Sequence, residues 1–161
     1  MMKMINEEEK LKKYIKEHDI KAEHLRFDKT LHTVQDTLNA TGFPIELITK
    51  SMIFKDNAGR TIVGMVSAEF RVSQSSLSKV LGAEVSFCSA EESYERTGYP
   101  VGGMPCFGYD AIVIMDPKIL ENEYIYTGGG SEFSLVKISV NEIKKIINPI
   151  VKGRIRGNKS I

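Results

Sequence analysis

The sequence predicts an α+β domain built on a mixed β-sheet. Helix and strand candidates are interleaved along the 161 residues, which places both kinds of element in one unit. Several strand candidates are joined by short turns, which argues against a doubly wound parallel sheet. The composition, 42% hydrophobic and 27% charged, is typical of a globular domain.

Size and charge limit the domain organisation and the class of partner. A chain of this length is near the common size of one domain and buries enough surface to fold without disulfides. We expect residues 1–150 to form a single domain, and residues 151–161, which carry four positive charges, to form a basic, mobile tail. The net charge of +1 gives no global field toward a nucleic acid, so such a contact requires a local patch.

Cysteine spacing and hydropathy favour a soluble, cytoplasmic protein. Cys88 and Cys106 have a separation that fits neither a zinc site nor a CxxC redox pair. Free thiols are expected, in keeping with a reducing cytosol. No apolar run reaches the ~18 residues of a membrane span, and the N-terminus is charged rather than signal-like. No group of side chains suggests a metal site or a bound cofactor.

The first elements are predicted from helix-start and helix-stop signals. Asn6 followed by Glu9 has the pattern of a capping box, which predicts a helix beginning at that point. A short extended stretch at residues 22–27 is predicted to enter the sheet. Thr33 is predicted to cap a second helix, which Gly42 ends.

The middle of the chain predicts a hairpin followed by a helix. Residues 48–54 alternate as a strand, and the turn at 56–59 is predicted to fold them onto residues 61–68. The second strand is apolar nearly throughout and is therefore predicted to be central. Residues 73–81 are then predicted to form a helix that Gly82 closes.

The last third predicts two helices separated by strands. Ser89 is predicted to cap a helix that ends at Gly98, and Ser139 to cap a final helix stopped by Pro149. Three strand candidates lie between these helices: residues 111–115, 123–127 and 133–138.

A loop rich in glycine and proline at residues 98–108 is the first candidate for chemistry. Four glycines and two prolines in eleven residues predict an imposed loop shape. Between Gly102 and Met104, successive N–H groups have the freedom to converge on an oxyanion or a phosphate. A structural turn between a helix and a strand is the alternative interpretation.

Lys50 and a glycine triplet are the next candidates. Lys50 lies in an otherwise neutral strand and either faces solvent or projects into a cavity that holds a phosphate or carbonyl. Gly128, Gly129 and Gly130 exceed what a tight turn requires, so they permit close approach of a ligand or of another backbone, or form a plain wide turn. Neither glycine cluster has nucleotide-binding spacing.

Two further side chains have both a chemical and a structural interpretation. Cys106 is a thiolate nucleophile if a base lies near it, and otherwise a small buried side chain. His32 precedes a predicted helix and either bonds a ligand or braces a loop.

These motifs occur in a characteristic order and together resemble a known family. They are His32-Thr-Val34, Lys50 within the strand, the loop 97–108, Val113-Ile-Met-Asp116 and the triplet 128–130. Over residues 5–147 the chain resembles the YbaK family of aminoacyl-tRNA deacylases, relatives of the editing domain inserted in bacterial prolyl-tRNA synthetases. The resemblance implies a mixed sheet curled into a barrel-like core surrounded by helices.

The resemblance also implies a reaction and a site. The reaction is hydrolysis of the ester that joins a wrong, small amino acid to the terminal adenosine of tRNA-Pro or a similar tRNA. It proceeds without a protein nucleophile, through backbone amides and a water positioned by a ribose hydroxyl of the substrate. Matching positions make Lys50 and Gly103 catalytic. Substrate binding is assigned to His32, Gly102, Met104, Pro105, Gly128, Gly129, Gly130 and Ser131.

The expected partners are mischarged tRNA and an aminoacyl-tRNA synthetase. If the chain is such a deacylase, the basic side chains of the tail either contact acceptor-stem phosphates or are simply solvated; they are Lys152, Arg154, Arg156 and Lys159. Two other functions stay open: a non-catalytic module that binds tRNA or a synthetase, and a hydrolase that uses Cys106.

Overall fold

The computed structural model describes the backbone of residues 2–160 and the side chains of residues 6–160. Met1, the first residue of the predicted domain, and Ile161, the last residue of the predicted tail, lie outside the described residues. Six α-helices and a short 3-10 helix at Ile45–Leu47 are present in this part of the chain. The α-helices are α1 (Met2–Glu17), α2 (Val34–Thr41), α3 (Gln74–Leu81), α4 (Ala90–Thr97), α5 (Pro117–Leu120) and α6 (Val140–Ile146).

The strands of residues 2–160 form three sheets with both parallel and antiparallel pairs. They are β1 (Ala22–Arg26), β2 (Thr49–Asp56), β3 (Thr61–Ser67), β4 (Phe70–Val72), β5 (Val85–Phe87), β6 (Ile112–Met115), β7 (Tyr124–Gly128), β8 (Ser134–Ser139), β9 (Val151–Lys152) and β10 (Arg156–Lys159). The strand orders are β5-β2-β3-β6-β9, β1-β8-β7 and β10-β4. The predicted α+β class with mixed pairing is confirmed.

The central sheet is organised around β3, as its apolar pattern predicts. β3 pairs antiparallel with β2 through the predicted hairpin and parallel with β6. Six of its seven residues are buried. The strand therefore lies between the two larger hydrophobic clusters of the core, one containing Val63 and Met65 and the other containing Ile62 and Val66.

The helix caps follow the sequence signals, with one exception. The side chains of Thr33, Ser73, Ser89 and Ser139 each accept a hydrogen bond from a backbone N–H in the first turn of α2, α3, α4 and α6. The predicted start of α1 at Asn6 is wrong, because the helix already begins at Met2. An Asn inside a helix costs well under about 1 kcal/mol, so it does not by itself end one.

The strand pairs of residues 2–160 do not close into a barrel. One isolated parallel bridge, between Ile48 and Tyr126, joins the entry to β2 with β7. The mixed α+β fold is thus established, and the barrel-like curl implied by the resemblance stays a prediction. No helix in the described chain has the length and apolar character needed to span a lipid bilayer.

Residues 151–160 are part of the domain, which corrects the prediction of a separate mobile tail. β9 pairs with β6, β10 pairs with β4, and Ile155 is fully buried. Buried Asp116 accepts hydrogen bonds from the backbone N–H of Ile155 and of Arg156 and pairs with the Arg156 guanidinium at 2.7 Å. The sequence did not predict this structure, because the C-terminal residues are held in place by a carboxylate that lies about forty positions earlier in the chain.

Candidate active site

A pocket of about 340 Å³ opens beside β2, where the central sheet is interrupted. Ile48 is bridged to Tyr126, and β5 pairs with the other end of β2 from Phe54 onward. Residues 49–52 therefore have no strand partner on that side. The pocket is lined mainly by apolar side chains, among them Leu31, Ile48, Ile53, Ala68, Val101, Met104 and Leu135.

Lys50 is the cationic side chain of the pocket. Its ammonium has neither a hydrogen bond nor an ion pair with any described residue, and the side chain is half-buried. Burial, and to a smaller degree the positive charge of Arg71, lower the pKa of Lys50 from its ordinary value. An unpaired, partly desolvated cation interacts strongly with any negative charge that enters the pocket. Of the two interpretations of Lys50, the structure favours projection into a cavity.

The glycine and proline loop forms one wall of the pocket through Gly102 and Met104. Gly102 has φ +94°, and a Cβ at this residue would lie 3.1 Å from Nδ1 of His32. The N–H of Gly103 donates to the carbonyl of Pro100 at 3.1 Å. The N–H groups of Gly102 and Met104 have no acceptor among the described residues. The amide of Gly103, a residue predicted to be catalytic, is thus already engaged within the loop.

The two glycine clusters pack against each other as backbone on backbone. A Cβ at Gly103 would lie 2.5 Å from the backbone nitrogen of Ser131, and a Cβ at Gly128 would collide with the carbonyl of Met104. The N–H of Gly130 donates to the carbonyl of Gly103 at 2.8 Å. Of the interpretations of the triplet, close approach of another backbone is the one found. Gly128 in addition lines the pocket.

Several predicted site residues lie behind the pocket wall. A Cβ at Gly129 would meet Ser134, and one at Gly130 would meet the backbone of Glu7 in α1.

Ser131 is fully buried, and its hydroxyl donates to the carboxylate of Glu8 at 2.6 Å. The carbonyl of Pro105 accepts a hydrogen bond from the Tyr109 hydroxyl. Gly103, Pro105, Gly129, Gly130 and Ser131 are absent from the pocket lining.

His32 lies at the rim of the pocket on the segment that leads into α2. Its side chain is 60% exposed, and its Nδ1 is 3.5 Å from the Glu132 carboxylate. The imidazole therefore faces both the pocket mouth and solvent, close to the Gly102 backbone. This position suits contact with a part of a ligand that lies outside the pocket.

Cys106 is a buried core residue. Its side chain is fully buried, and desolvation raises the pKa of its thiol to about 12. A thiol with this pKa is almost entirely protonated at neutral pH and is a poor nucleophile. The structure thus supports the interpretation of Cys106 as a small buried side chain.

Two contributors to the site have no clear sequence signal. The hydroxyl oxygen of Ser51, a pocket-lining residue, is buried and has no hydrogen-bond partner among the described residues. Glu8 is buried on α1, where it bonds Ser131 and, at 3.1 Å, Arg26. A serine in a strand and a glutamate in an acidic run are ordinary features, so only the tertiary structure reveals these roles.

The arrangement combines a cation with two free amides at the edge of an apolar cavity. Such a site stabilises a developing negative charge on a substrate oxygen while the apolar walls hold a small side chain. Among residues 2–160, no group of three or more histidine, cysteine, aspartate or glutamate side chains is placed to hold a metal ion.

The region of the chain that contains the pocket matches a known protein family. Residues 28–146 match the family described as the aminoacyl-tRNA editing domain, and this match contains the pocket-lining residues. The uncharacterized protein YwhH of Bacillus subtilis (strain 168) is 22% identical over 121 residues, which cover 74% of this chain and 77% of YwhH.

Solved structures show the same fold over nearly the whole chain. The hypothetical protein APE2540 is 27% identical, with a TM-score of 0.83 over 92% of this chain and 99% of its own. A candidate trans-editing enzyme for prolyl tRNA synthetase is 18% identical, with a TM-score of 0.83 over 94% of this chain and 98% of its own. At that identity, the second likeness supports the fold alone.

Proposed function

The chain belongs to the aminoacyl-tRNA editing domain family, of the YbaK type, and from this premise we propose that it hydrolyses mischarged aminoacyl-tRNA in trans. The proposed substrate is an ester between a small amino acid and the terminal adenosine of tRNA-Pro or a similar tRNA. The proposed setting is the cytoplasm, where an aminoacyl-tRNA synthetase is the expected partner. A synthetase produces the mischarged ester, and the deacylase removes it.

The observation that carries this proposal is the unpaired ammonium of Lys50 beside the pocket wall formed by Gly102 and Met104. A cation and free amide donors next to an apolar cavity are what ester hydrolysis requires, because negative charge develops on the carbonyl oxygen. One such donor is typically worth about 3–4 kcal/mol of transition-state stabilisation. The site therefore has no need of a nucleophilic side chain.

The proposed reaction begins with attack of water on the ester carbon. The carbonyl oxygen becomes an oxyanion, which the amides of Gly102 and Met104 stabilise, with Lys50 supplying positive charge. A ribose hydroxyl of the substrate positions the attacking water. The bond from carbon to the ribose oxygen then breaks, and the proton lost by water passes to that oxygen. The products are the free amino acid and the uncharged tRNA.

The pocket has room for a small aminoacyl group, and the choice of a small amino acid follows from the errors that synthetases make. A volume of about 340 Å³ has to hold the aminoacyl group and part of the terminal ribose. One methylene changes discrimination in an apolar pocket by only about 1–3 kcal/mol. Synthetases for small amino acids therefore make errors that a second, size-limited site can correct.

Single-turnover deacylation of tRNAs charged with alanine, cysteine, serine, threonine or proline tests the proposal. We expect rapid loss of one ester with the wild-type protein and none above background with Lys50→Ala. The matched control is Lys55→Ala, on the same strand, whose ammonium pairs with Glu92 outside the pocket. Tight tRNA binding without turnover of any ester would overturn the proposal and favour the non-catalytic binding module.

A further inference from the structure

A group of unpaired cations lies on β4, on α5 and on the folded C-terminal segment. Elsewhere in residues 6–160, nine pairs join a basic side chain to a carboxylate, including Arg26 with Glu8 and Arg96 with Glu92. The side chains in question have no carboxylate of a described residue within 4.0 Å. They are Arg71, Lys118, Lys152, Arg154 and Lys159, and with Phe70 we call them the basic ledge.

Phe70 links the parts of the basic ledge. Lys159 is the register partner of Phe70 in the pairing of β10 with β4. The ammonium of Lys118 and the guanidinium of Arg156 each lie 5.8 Å from the centre of the Phe70 ring. Charges from α5 and from β10 thus meet around one partly exposed aromatic ring of β4, although the net charge of the protein is only +1.

The carboxylates in this region are already engaged. Asp116 is buried and pairs with Arg156, and Glu69 accepts a hydrogen bond from the Ser67 hydroxyl. Within the basic ledge, five cations therefore stand without an ion pair to any described residue, and Asp116 is neutralised by Arg156. Because Asp116 also fixes the backbone of residues 155 and 156, the charges are held in place before any partner binds, which lowers the entropy cost of association.

The basic ledge begins at the rim of the pocket. Ala68, which lines the pocket, accepts a hydrogen bond from the Ser160 hydroxyl through its carbonyl at 2.7 Å. The charge of Arg71 acts on Lys50 inside the pocket and contributes to its lowered pKa. A polyanion attached to a ligand in the pocket would therefore leave the pocket next to this surface.

We propose that the basic ledge binds the phosphate backbone at the acceptor end of the tRNA whose aminoacyl-adenosine occupies the pocket. The inference rests on the proposed function for the identity of the pocket ligand. Lysine and arginine contacts to phosphates supply affinity without reading sequence. The partly exposed ring of Phe70 beside cations suits a nucleobase or ribose near the single-stranded end.

Binding of uncharged tRNA, measured by fluorescence anisotropy at several salt concentrations, tests this inference without any turnover. The variant replaces Lys118, Arg154 and Lys159 by Gln, which removes charge and keeps chain length. Each lost phosphate contact lowers the salt slope by ~0.7–0.9. We therefore expect the slope to fall by about 2 and the affinity at 0.1 M salt to fall at least tenfold.

A matched control removes three exposed charges on α1 and α6, which are not part of the basic ledge. Replacing Lys13, Lys16 and Lys144 by Gln changes the net charge equally and should leave affinity and salt slope unchanged. Equal losses in both triple variants would show a non-specific charge effect and overturn the inference. Wild-type affinity in the ledge variant would also overturn the inference. Thermal melting of both triple variants checks that a loss of affinity is not a loss of fold.

A comparison of two substrates separates failure of this inference from failure of the proposed function. Aminoacyl-adenosine carries the ester without the stem, and aminoacyl-tRNA carries both. We expect the ledge variant to lose at least tenfold in kcat/KM with aminoacyl-tRNA and to match the wild type with aminoacyl-adenosine. If the wild type hydrolyses neither ester, the proposed function fails, while the anisotropy result still decides the tRNA contact. Losses with both substrates would overturn the basic ledge as a stem-binding surface.

Discussion

Gly103 lies against the backbone of Ser131 at a separation that admits no side chain. A Cβ at Gly103 would lie 2.5 Å from the nitrogen and 2.7 Å from the Cα of Ser131. The carbonyl of Gly103 also accepts the N–H of Gly130. This contact fixes the loop whose neighbouring residues, Gly102 and Met104, line the pocket.

Gly103→Ala should therefore loosen the loop and lower stability. The new methyl group meets backbone atoms, which cannot rotate away, and such overpacking typically costs about 1–3 kcal/mol. Urea unfolding measures this loss, and single-turnover deacylation should fall with it. Gly157→Ala is the control, because a Cβ there lies at ordinary contact distances, the nearest atom at 3.5 Å. Equal stability of the two variants would contradict the packing argument.

Glu8→Ala should destabilise the protein through its buried contacts. The substitution removes the acceptor of the Arg26 guanidinium and leaves the Ser131 hydroxyl only its bond with Ser134. A hydrogen bond to a charged group is worth about 1.5–3 kcal/mol. We expect the free energy of unfolding to fall by about 2 kcal/mol or more. Glu9→Ala, which removes an exposed pair with Lys12, should stay within about 0.5 kcal/mol of the wild type. Similar losses for both would count against a special role for Glu8.

Lys50→Met should abolish deacylation and raise stability at neutral pH. The folded-state pKa of Lys50 is lowered, chiefly by burial, so the folded protein binds this proton less tightly than the unfolded chain. Below the folded-state pKa, the buried charge of Lys50 lowers the free energy of unfolding of the wild type. This loss is relieved as pH rises from the folded-state pKa toward the ordinary value of 10.5. Urea unfolding of both proteins across this range should show the advantage of Met shrinking as pH rises. A constant difference would contradict the linkage.

The same titration bears on catalysis. If the ammonium of Lys50 stabilises the oxyanion, deacylation by the wild type should decline once pH exceeds the lowered pKa, below the value for an ordinary lysine. Rates at each pH have to be corrected for spontaneous ester hydrolysis. A rate that stays flat up to the ordinary lysine pKa would exclude an electrostatic role for this charge.

Cys106→Ala should keep its deacylation rate within about threefold of the wild type, a change in activation free energy of less than about 1 kcal/mol. The thiol is fully buried with a pKa raised to about 12, which makes it inert. The cost appears in stability instead, at roughly 1 kcal/mol for the small cavity, measured by thermal unfolding. Cys88→Ala, at a partly exposed thiol, is the control. Loss of activity with unchanged stability would revive a nucleophilic role.

The sequence by itself determined the elements whose causes are local. The caps at Thr33 and Ser89 and the stops at Gly42 and Gly98 lie where the sequence predicts them, because a side chain reaching its own first turn needs no distant partner. The order of the motifs also identified the family. The same local reasoning failed at Asn6, where a capping pattern occurs within a helix that begins earlier.

The tertiary structure alone decided what the glycines and the C-terminal residues do. Sequence allowed the triplet to approach a ligand or another backbone, and the choice of backbone depends on Gly103, some twenty-five positions away in the chain. The sequence predicts a mobile tail for the basic C-terminal residues, because the residues beside them give no sign of their contact with the buried carboxylate of Asp116. Interactions between distant segments leave no local pattern, since each partner alone is compatible with many structures. Their energy becomes available only when the fold brings both partners together.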